Sequence, residues 1–185
     1  MSRIEPMWVG QSLSIKSKEM KKHLSVVRSV AILVLSAYCL VVASPSSSSG
    51  PSANRKAIEQ LFAAWNSHDA DKVANSFADD AIYEDVAAGH INRGRTDVRE
   101  WAAGAFSAIE NFRIEIITIN VHAERGVVEW VWSGTDKGLL KTGKKFSVRG
   151  VSVIELRGGK VLGYKEYYDF ATVMRQLGVL PDKKD

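Results

Sequence analysis

The chain has 185 residues, 45% of them apolar, which is enough for one domain with a sizeable core and excludes an intrinsically disordered chain. Its formal charge of +4 comes from the first 43 residues, which hold six of the 25 Lys and Arg and two of the 21 Asp and Glu. The later residues carry 19 of each sign, so the basic surface that a nucleic-acid partner requires is absent and no such partner is expected.

The residues before position 44 have the layout of a secretory signal peptide. An uncharged stretch from Ser29 to Ala43 follows the basic residues Lys21, Lys22 and Arg28 and precedes a Ser-rich run. At about 15 residues, the stretch is shorter than the ~20 that a membrane-spanning helix needs. We therefore expect cleavage near Ala43, export to the periplasm or beyond, and no stable membrane span in the mature form.

The only cysteine, Cys39, lies within this segment. Lipid attachment there is disfavoured because the preceding residue is the bulky Tyr38, where lipid-attachment motifs carry a small residue. Removal of the segment leaves no thiol for a disulfide, a nucleophile or a metal site. The expected organisation is an N-terminal extension and signal peptide over residues 1–43, a Ser/Pro-rich linker over 44–53, one domain over 54–180 and a charged tail over 181–185.

The first half of the domain has the apolar spacing of helices. The first predicted helix ends near Asn66 and has apolar residues at i, i+3, i+4 and i+7: Ile58, Leu61, Phe62 and Trp65. A short second helix has Asp69 or Asp71 as its N-cap and carries Val73, Ala74 and Phe77. After a strand over 81–86 and a loop over 87–95, a third helix begins near Thr96 and carries Trp101, Ala105 and Phe106.

The second half changes to the two-residue period of strands. Four β-rich segments are predicted over residues 112–122, 127–134, 145–156 and 160–170, followed by a short helix over 171–177. Three helices followed by a curved antiparallel sheet predict an α+β fold in which the helices cover the concave face of the sheet. Such an arrangement encloses a pocket where the packing runs out.

Four short motifs occur in this order of elements: Ala78–Asp85 (ADDAIYED), Gly94-Arg95, Gly159-Lys160-Val161 and Tyr167-Tyr168-Asp169. With them, residues 54–179 resemble the SnoaL-like polyketide cyclases and ketosteroid isomerases. The resemblance implies the nuclear-transport-factor-2-like fold, a cystatin-like roll in which a cone-shaped sheet wraps on about three helices, and it implies a homodimer. Proteins of this fold include isomerases, cyclases, dehydratases, hydrolases and non-catalytic binding proteins, so the fold does not decide the activity.

The resemblance assigns Asp85 as a general base. A carboxylate in an apolar pocket loses solvation and its pKa rises, so it can take a proton from a carbon beside a carbonyl group and return it nearby. The alternative is a structural acid at the end of a strand, which caps a loop amide or pairs with Arg93 or Arg95. The isomerases' oxyanion-hole donors do not carry over, because Ser152 and Leu61 stand at those positions.

Asp169 resembles the acid/base aspartate of SnoaL-type cyclases, and it is therefore a candidate second catalytic residue. The alternative is that it caps the helix beginning at Ala171. Its strand parity is opposite to that of Tyr168, so it would face the pocket only if a bulge or the strand's end turned it inward.

Strand alternation and the helix faces predict the rest of the pocket lining: Trp65, Tyr83, Trp101, Phe106, Phe146, Val148, Ser152, Tyr164, Glu166 and Tyr168. Trp130 and Trp132 share one face of their strand and are interpreted as core or dimer surface, with Ile117 and Ile119, rather than as a ligand platform. No metal or cofactor is expected, because His68, His90 and His122 stand in separate segments and no dinucleotide or phosphate-loop motif occurs.

Two function hypotheses follow from the sequence. The first is a cofactor-free isomerase, cyclase or dehydratase that acts on a small apolar carbonyl compound. The second is a non-catalytic module of the same fold that binds a small ligand or dimerises.

Overall fold

The computed structural model describes residues 50–181, and the predicted signal peptide, most of the linker and most of the charged tail lie outside them. The helices within this range are α1 (Pro51–Asn66), α2 (Ala70–Asn75), α3 (Gly94–Ala108) and α4 (Phe170–Gln176). The strands are β1 (Phe77–Asp85), β2 (His90–Arg93), β3 (Ile109–His122), β4 (Arg125–Asp136), β5 (Lys145–Arg157) and β6 (Lys160–Tyr168).

The helices form where the apolar spacing predicts them. The stripe of α1 is buried, with Ile58 and Leu61 fully inaccessible to solvent and Trp65 3% exposed. Pro51 occupies the first turn, where its missing amide hydrogen costs nothing. The N-cap of α2 is Asp69, whose side chain accepts a hydrogen bond from the Lys72 amide at 3.0 Å. The capping prediction for Asp69 is thereby confirmed.

The six strands form one mixed sheet in the order β2-β1-β6-β5-β4-β3. All neighbouring pairs are antiparallel except β1 and β6, which run parallel. The expectation of an antiparallel sheet was therefore wrong for this one pair, because β1 and β6 lie at opposite ends of the domain sequence and no hairpin links them. Strand β2 was also missed, because it is only four residues long and lies in the segment predicted as a loop.

Irregularities in pairing bend the sheet around the helices. The register of β3 against β4 shifts between Glu110 and Arg113 and again between Ile116 and Thr118. Such shifts insert unpaired residues, bend the strand and increase its twist. The concave face then packs against α1 and α3, and the α+β class and the nuclear-transport-factor-2-like architecture are as predicted.

The end of α1 is fixed to the edge strand β3 by a side chain. Asn66 donates from Nδ2 to the Ile114 carbonyl and accepts from the Ile114 amide, each at 2.8 Å. These two bonds satisfy backbone groups of an edge strand that would otherwise lack a partner. They also hold the neighbouring Trp65 over the concave face, where the core leaves a gap.

The outer face of the sheet differs from the predicted dimer patch. Trp130 lies in the core, Ile119 and Trp132 are partly buried and pack against it, and Ile117 is exposed. The interior position follows from the register, because Trp130 pairs with Gly150 and its ring lies over that glycine on the concave face. Between residues 50 and 181, no helix is long and apolar enough to cross a membrane.

Candidate functional site

A cavity of about 290 Å³ lies between the concave face of the sheet and α1, α3 and the start of α4. Its size is near the lower end of the range for small-molecule sites. Aromatic side chains form much of its wall, and few of its lining side chains are polar. The cavity is lined by Trp65, Tyr83, Asp85, Ala88, Glu100, Trp101, Gly104, Ala105, Ala108, Ile109, Phe112, Ile114, Trp130, Trp132, Leu139, Tyr164, Glu166, Tyr168 and Phe170.

The structure brings most of the sequence-predicted site residues to this cavity. Those that border it are Trp65, Tyr83, Asp85, Trp101, Tyr164, Glu166 and Tyr168. The prediction was wrong for Phe106, Phe146, Val148 and Ser152, which do not border it. Phe106 and Phe146 pack against larger aromatic rings instead: the Phe106 ring lies 5.6 Å from that of Trp65, and the Phe146 ring 4.7 Å from that of Trp132.

A row of polar residues crosses the sheet at the cavity floor. Asp85 on β1 is the register partner of His90 on β2 and of Glu166 on β6. Glu166 is in turn opposite Ser152 on β5. Register partners share a face of the sheet, so the carboxyl groups of Asp85 and Glu166 are direct neighbours.

Asp85 is 3% exposed and has two hydrogen-bond donors. Its Oδ1 accepts from the Ala88 amide at 2.8 Å and its Oδ2 from the Tyr168 hydroxyl at 3.0 Å. Burial raises the pKa of Asp85, although these hydrogen bonds and the nearby His90 oppose the rise. Of the two alternatives from the sequence, Asp85 therefore both caps a loop amide and lies in the cavity.

The arginine pairing considered for Asp85 is not formed. Arg95 instead lies 3.3 Å from Asp79, and the Arg93 amide donates to Asp97. The Asp85 carboxylate therefore has neither arginine as a partner to stabilise its charge, and this agrees with a pKa above the ordinary value for aspartate.

Glu166 is half-buried, and its carboxyl group is held by two tyrosines. Tyr83 donates to Oε1 at 2.5 Å, and Tyr164 approaches Oε2 at 3.5 Å. Burial, followed by the negative charge of Asp85, raises the pKa of Glu166 to about 8. At neutral pH the glutamic acid is therefore protonated. The hydrogen bonds from Ala88 and Tyr168 oppose the effect of burial at Asp85, which makes Asp85 the more acidic of the two groups.

The tyrosines around the two carboxyl groups remain protonated. Burial and the charge of Glu166 raise the pKa of Tyr83 and of Tyr164 well above the ordinary value of 10. A buried chain supports this arrangement, because Trp130 Nε1 donates to Ser152 Oγ and Ser152 Oγ donates to Tyr164 Oη, each at 2.7 Å. Ser152 therefore positions a cavity tyrosine instead of meeting a ligand.

Asp169 lies outside the cavity. It caps α4, accepting from the Thr172 amide at 2.9 Å, and it pairs with Arg175 at 3.2 Å. Its side chain is 58% exposed, and these contacts lower its pKa. The prediction of a second catalytic acid/base at Asp169 was wrong, because β6 continues its regular alternation to Tyr168 and then enters the helix.

Two features of the site were not predicted from the sequence. Asp85 and Glu166 are paired by the parallel contact between β1 and β6, whereas the sequence predicted an antiparallel sheet. Trp130 and Trp132 line the cavity because their face of β4 is concave, and alternation alone does not say which face that is. Trp130, Ser152 and Glu166 lie on the same face of β4, β5 and β6. The alternation of these three strands, combined with their register, is the signal that could have placed the tryptophans on the concave face.

Two further depressions within residues 50–181 lack a comparable set of groups. Depressions of about 370 and 470 Å³ on the surface are more open and are lined without a pair of buried acids. In the part of the chain that the structure describes, no group of three or more His, Cys, Asp or Glu side chains is placed to hold a metal ion.

Comparison with known proteins identifies a matching domain family and solved structures with a similar fold. The SnoaL-like domain matches residues 58–164. A hypothetical protein with a ketosteroid isomerase-like fold from Catenulispora acidiphila, solved in complex with trimethylamine, is 26% identical, with a TM-score of 0.63 over 70% of this chain and 97% of that one.

Two further solved structures share the fold at lower identity. A protein from Jannaschia sp. CCS1 that carries the provisional name SnoaL-like polyketide cyclase is 18% identical, with a TM-score of 0.63 over 75% of this chain and 98% of that one. An epoxide hydrolase of M. tuberculosis is 18% identical, with a TM-score of 0.60 over 70% of this chain and 92% of that one.

Proposed function

The chain belongs to the SnoaL-like domain family, and we propose that it is a cofactor-free acid/base enzyme acting on a small, largely apolar carbonyl compound. The observation that carries the proposal is the neighbouring pair of carboxyl groups, Asp85 and Glu166, at the floor of an aromatic cavity. Two acids whose environments push their pKa values apart can act as base and acid at the same pH.

In the proposed reaction, the ionised Asp85 removes a proton from the carbon next to the carbonyl group. The negative charge moves to the carbonyl oxygen, where the protonated Glu166 donates a hydrogen bond to the enolate. For a β,γ-unsaturated substrate, this enolate is a dienolate, and Asp85 returns its proton to the γ-carbon; the double bond moves into conjugation with the carbonyl group, and the ionised carboxylate is restored. Every proton and electron pair is conserved, so the cycle requires no oxidant, reductant or co-reactant.

The surrounding groups support this division of roles. The Tyr168 hydroxyl and the Ala88 amide hold Asp85 in place while leaving it charged. Tyr83 orients the carboxyl group of Glu166. The aromatic walls exclude water, which strengthens electrostatic interactions with the developing charge.

The test is exchange of carbon-bound hydrogen in D₂O, because it detects proton abstraction without knowledge of the natural substrate. A panel of small cyclic and aryl ketones is followed by proton NMR with and without the protein. We expect faster exchange next to the carbonyl group with the wild type, loss with Asp85→Asn, and no loss with Asp79→Asn. Asp79 is a matched control because its side chain is 91% exposed. Equal exchange by wild type and Asp85→Asn would refute the base assignment.

The second candidate function is non-catalytic binding of a small ligand in the same cavity. It is favoured by the replacement of the isomerase donors, since Leu61 is fully buried core and Ser152 is occupied by Trp130 and Tyr164. Saturable ketone binding by the folded wild type, with exchange no faster than in buffer, would select this function over the first.

Export is proposed from the residues before position 44. The apolar stretch from Ser29 to Ala43, with Lys21, Lys22 and Arg28 before it, supports cleavage near Ala43. Mass spectrometry of the protein from its native host should give an N-terminus near Ser44. An intact product in the cytoplasm would contradict the proposal.

A homodimer is proposed through the outer face of the sheet. Val127 pairs with Val153 and Val151 pairs with Tyr167, which gives adjacent apolar side chains on this face. Val127, Val153 and Tyr167 are each more than 40% exposed. Light scattering should give twice the monomer mass, and Val153→Lys should reduce it. A monomer at every micromolar concentration would contradict the proposal.

A further inference from the structure

Apart from the tyrosines, the titratable side chains that line the cavity are all carboxylic acids. Asp85, Glu100 and Glu166 line it, and among the described lining residues there is no lysine, arginine or histidine. His90 lies beside Asp85 on β2, is exposed, and stacks on Trp101 at the cavity edge with ring centres 4.3 Å apart. Among the lining residues themselves, an anionic ligand would meet the negative charge of Asp85, whereas a cation would be attracted by it.

Four rings next to Asp85 form what we call the aromatic wall: Trp130, Trp132, Tyr168 and Phe170. The Tyr168 ring meets Trp132 at 77°, Trp130 at 53° and Phe170 at 77°, with ring centres 5.6 to 6.2 Å apart. The rings are inclined to one another and not stacked, and all four residues border the cavity. The negative face of an aromatic ring attracts a cation.

The aromatic wall lies in direct contact with the Asp85 carboxylate. The Tyr168 hydroxyl donates to Asp85 Oδ2 at 3.0 Å, so the same tyrosine contributes a ring to the wall and a contact to the carboxylate. The Asp85 carboxylate is 3% exposed and has lost most of its hydration. A positive charge placed between the rings and Asp85 would replace that hydration with a direct attraction.

We propose that the cavity binds a small alkylammonium ion, whose apolar groups contact the aromatic wall and whose charge is balanced by the Asp85 carboxylate. The proposal requires the negative charge of Asp85 but not its action as a base. It therefore goes beyond the proposed reaction, and the two can fail separately, since proton exchange is measured on neutral ketones.

The test compares choline with 3,3-dimethylbutan-1-ol, which has the same shape but carries carbon in place of the charged nitrogen. Binding of each to the full wild-type domain is measured by isothermal titration calorimetry at pH 7.5. Choline should bind at least about tenfold more tightly, the ratio expected from cation–π contact together with a buried opposite charge. Equal or tighter binding of the neutral alcohol, or no binding of choline, would overturn the proposal.

Variants separate the two contributions. Asp85→Asn should weaken choline binding about tenfold or more and leave the alcohol unchanged, because only the charge is removed. Trp132→Leu should weaken choline more than the alcohol, whereas Asp79→Asn should change neither. Unchanged choline binding by folded Asp85→Asn would contradict the proposal, and the wild-type comparison decides it even if a variant does not fold.

Discussion

The protonated state of Glu166 predicts an unusual dependence of stability on pH. The pKa of this group is 4.5 ordinarily and about 8 in the folded protein, where burial and the charge of Asp85 raise it. Between these values the folded state keeps a proton that the unfolded state has released. The free energy of unfolding must therefore fall as the pH rises from about 5 to about 8, and it should level off above that.

The size of the effect follows from the same values. A tenfold difference in proton affinity corresponds to about 1.4 kcal/mol, so a rise from 4.5 to about 8 corresponds to a loss of about 5 kcal/mol across the pH range. This is a large part of the stability of a small domain. Glu166→Gln cannot ionise, keeps the shape of the side chain and costs at most about one hydrogen bond, or ~1 kcal/mol.

Urea unfolding at several pH values between 5 and 9 provides the measurement. We expect the wild type to lose stability with rising pH and Glu166→Gln to lose much less, so that the variant is the more stable protein at pH 9. Asp85→Asn should flatten the wild-type profile in part, because the charge of Asp85 contributes to the raised pKa of Glu166. Glu124→Gln, a change in an exposed turn, serves as the control. Parallel profiles for wild type and Glu166→Gln would refute the reasoning.

Three further predictions concern single positions and are checked by urea unfolding near neutral pH. Asp85→Asn should leave stability unchanged or raise it, because burial disfavours the charged carboxylate; a loss above ~1 kcal/mol would count against a desolvated acid. Gly150→Ala should cost about 1–3 kcal/mol, because the added Cβ would lie 2.2 Å from the Trp130 ring; a neutral change would show that Trp130 moves freely. Asp136→Ala should cost about 2 kcal/mol, because the Leu140 and Thr142 amides lose their acceptor; unchanged stability would show that this loop does not depend on Asp136.

The helices and most strands could be predicted from the sequence because their signals are local. The stripe from Ile58 to Trp65 and the cap at Asp69 depend only on residues within a few positions of one another. The position of Asp85 in a pocket came from the resemblance of its motif, and alternation correctly placed Tyr164, Glu166 and Tyr168 on one face.

The features that could not be predicted depend on contacts between distant segments. The parallel pairing of β1 with β6 joins residues that are more than 80 positions apart, and it alone makes Glu166 the neighbour of Asp85. The inward position of Trp130 and Trp132 depends on the direction in which the sheet curves. A strand pattern specifies two faces but does not say which of them is concave.

The proposed reaction requires an ionised Asp85 beside a protonated Glu166 in one cavity at neutral pH. Carbon-13 NMR of the two side-chain carboxyl groups, followed from pH 3 to pH 10, measures both protonation states. Because the groups interact, the pair should titrate in two steps, with the lower step dominated by Asp85 and the upper step, near 8, by Glu166. Complete ionisation of both groups below pH 5 would contradict the account.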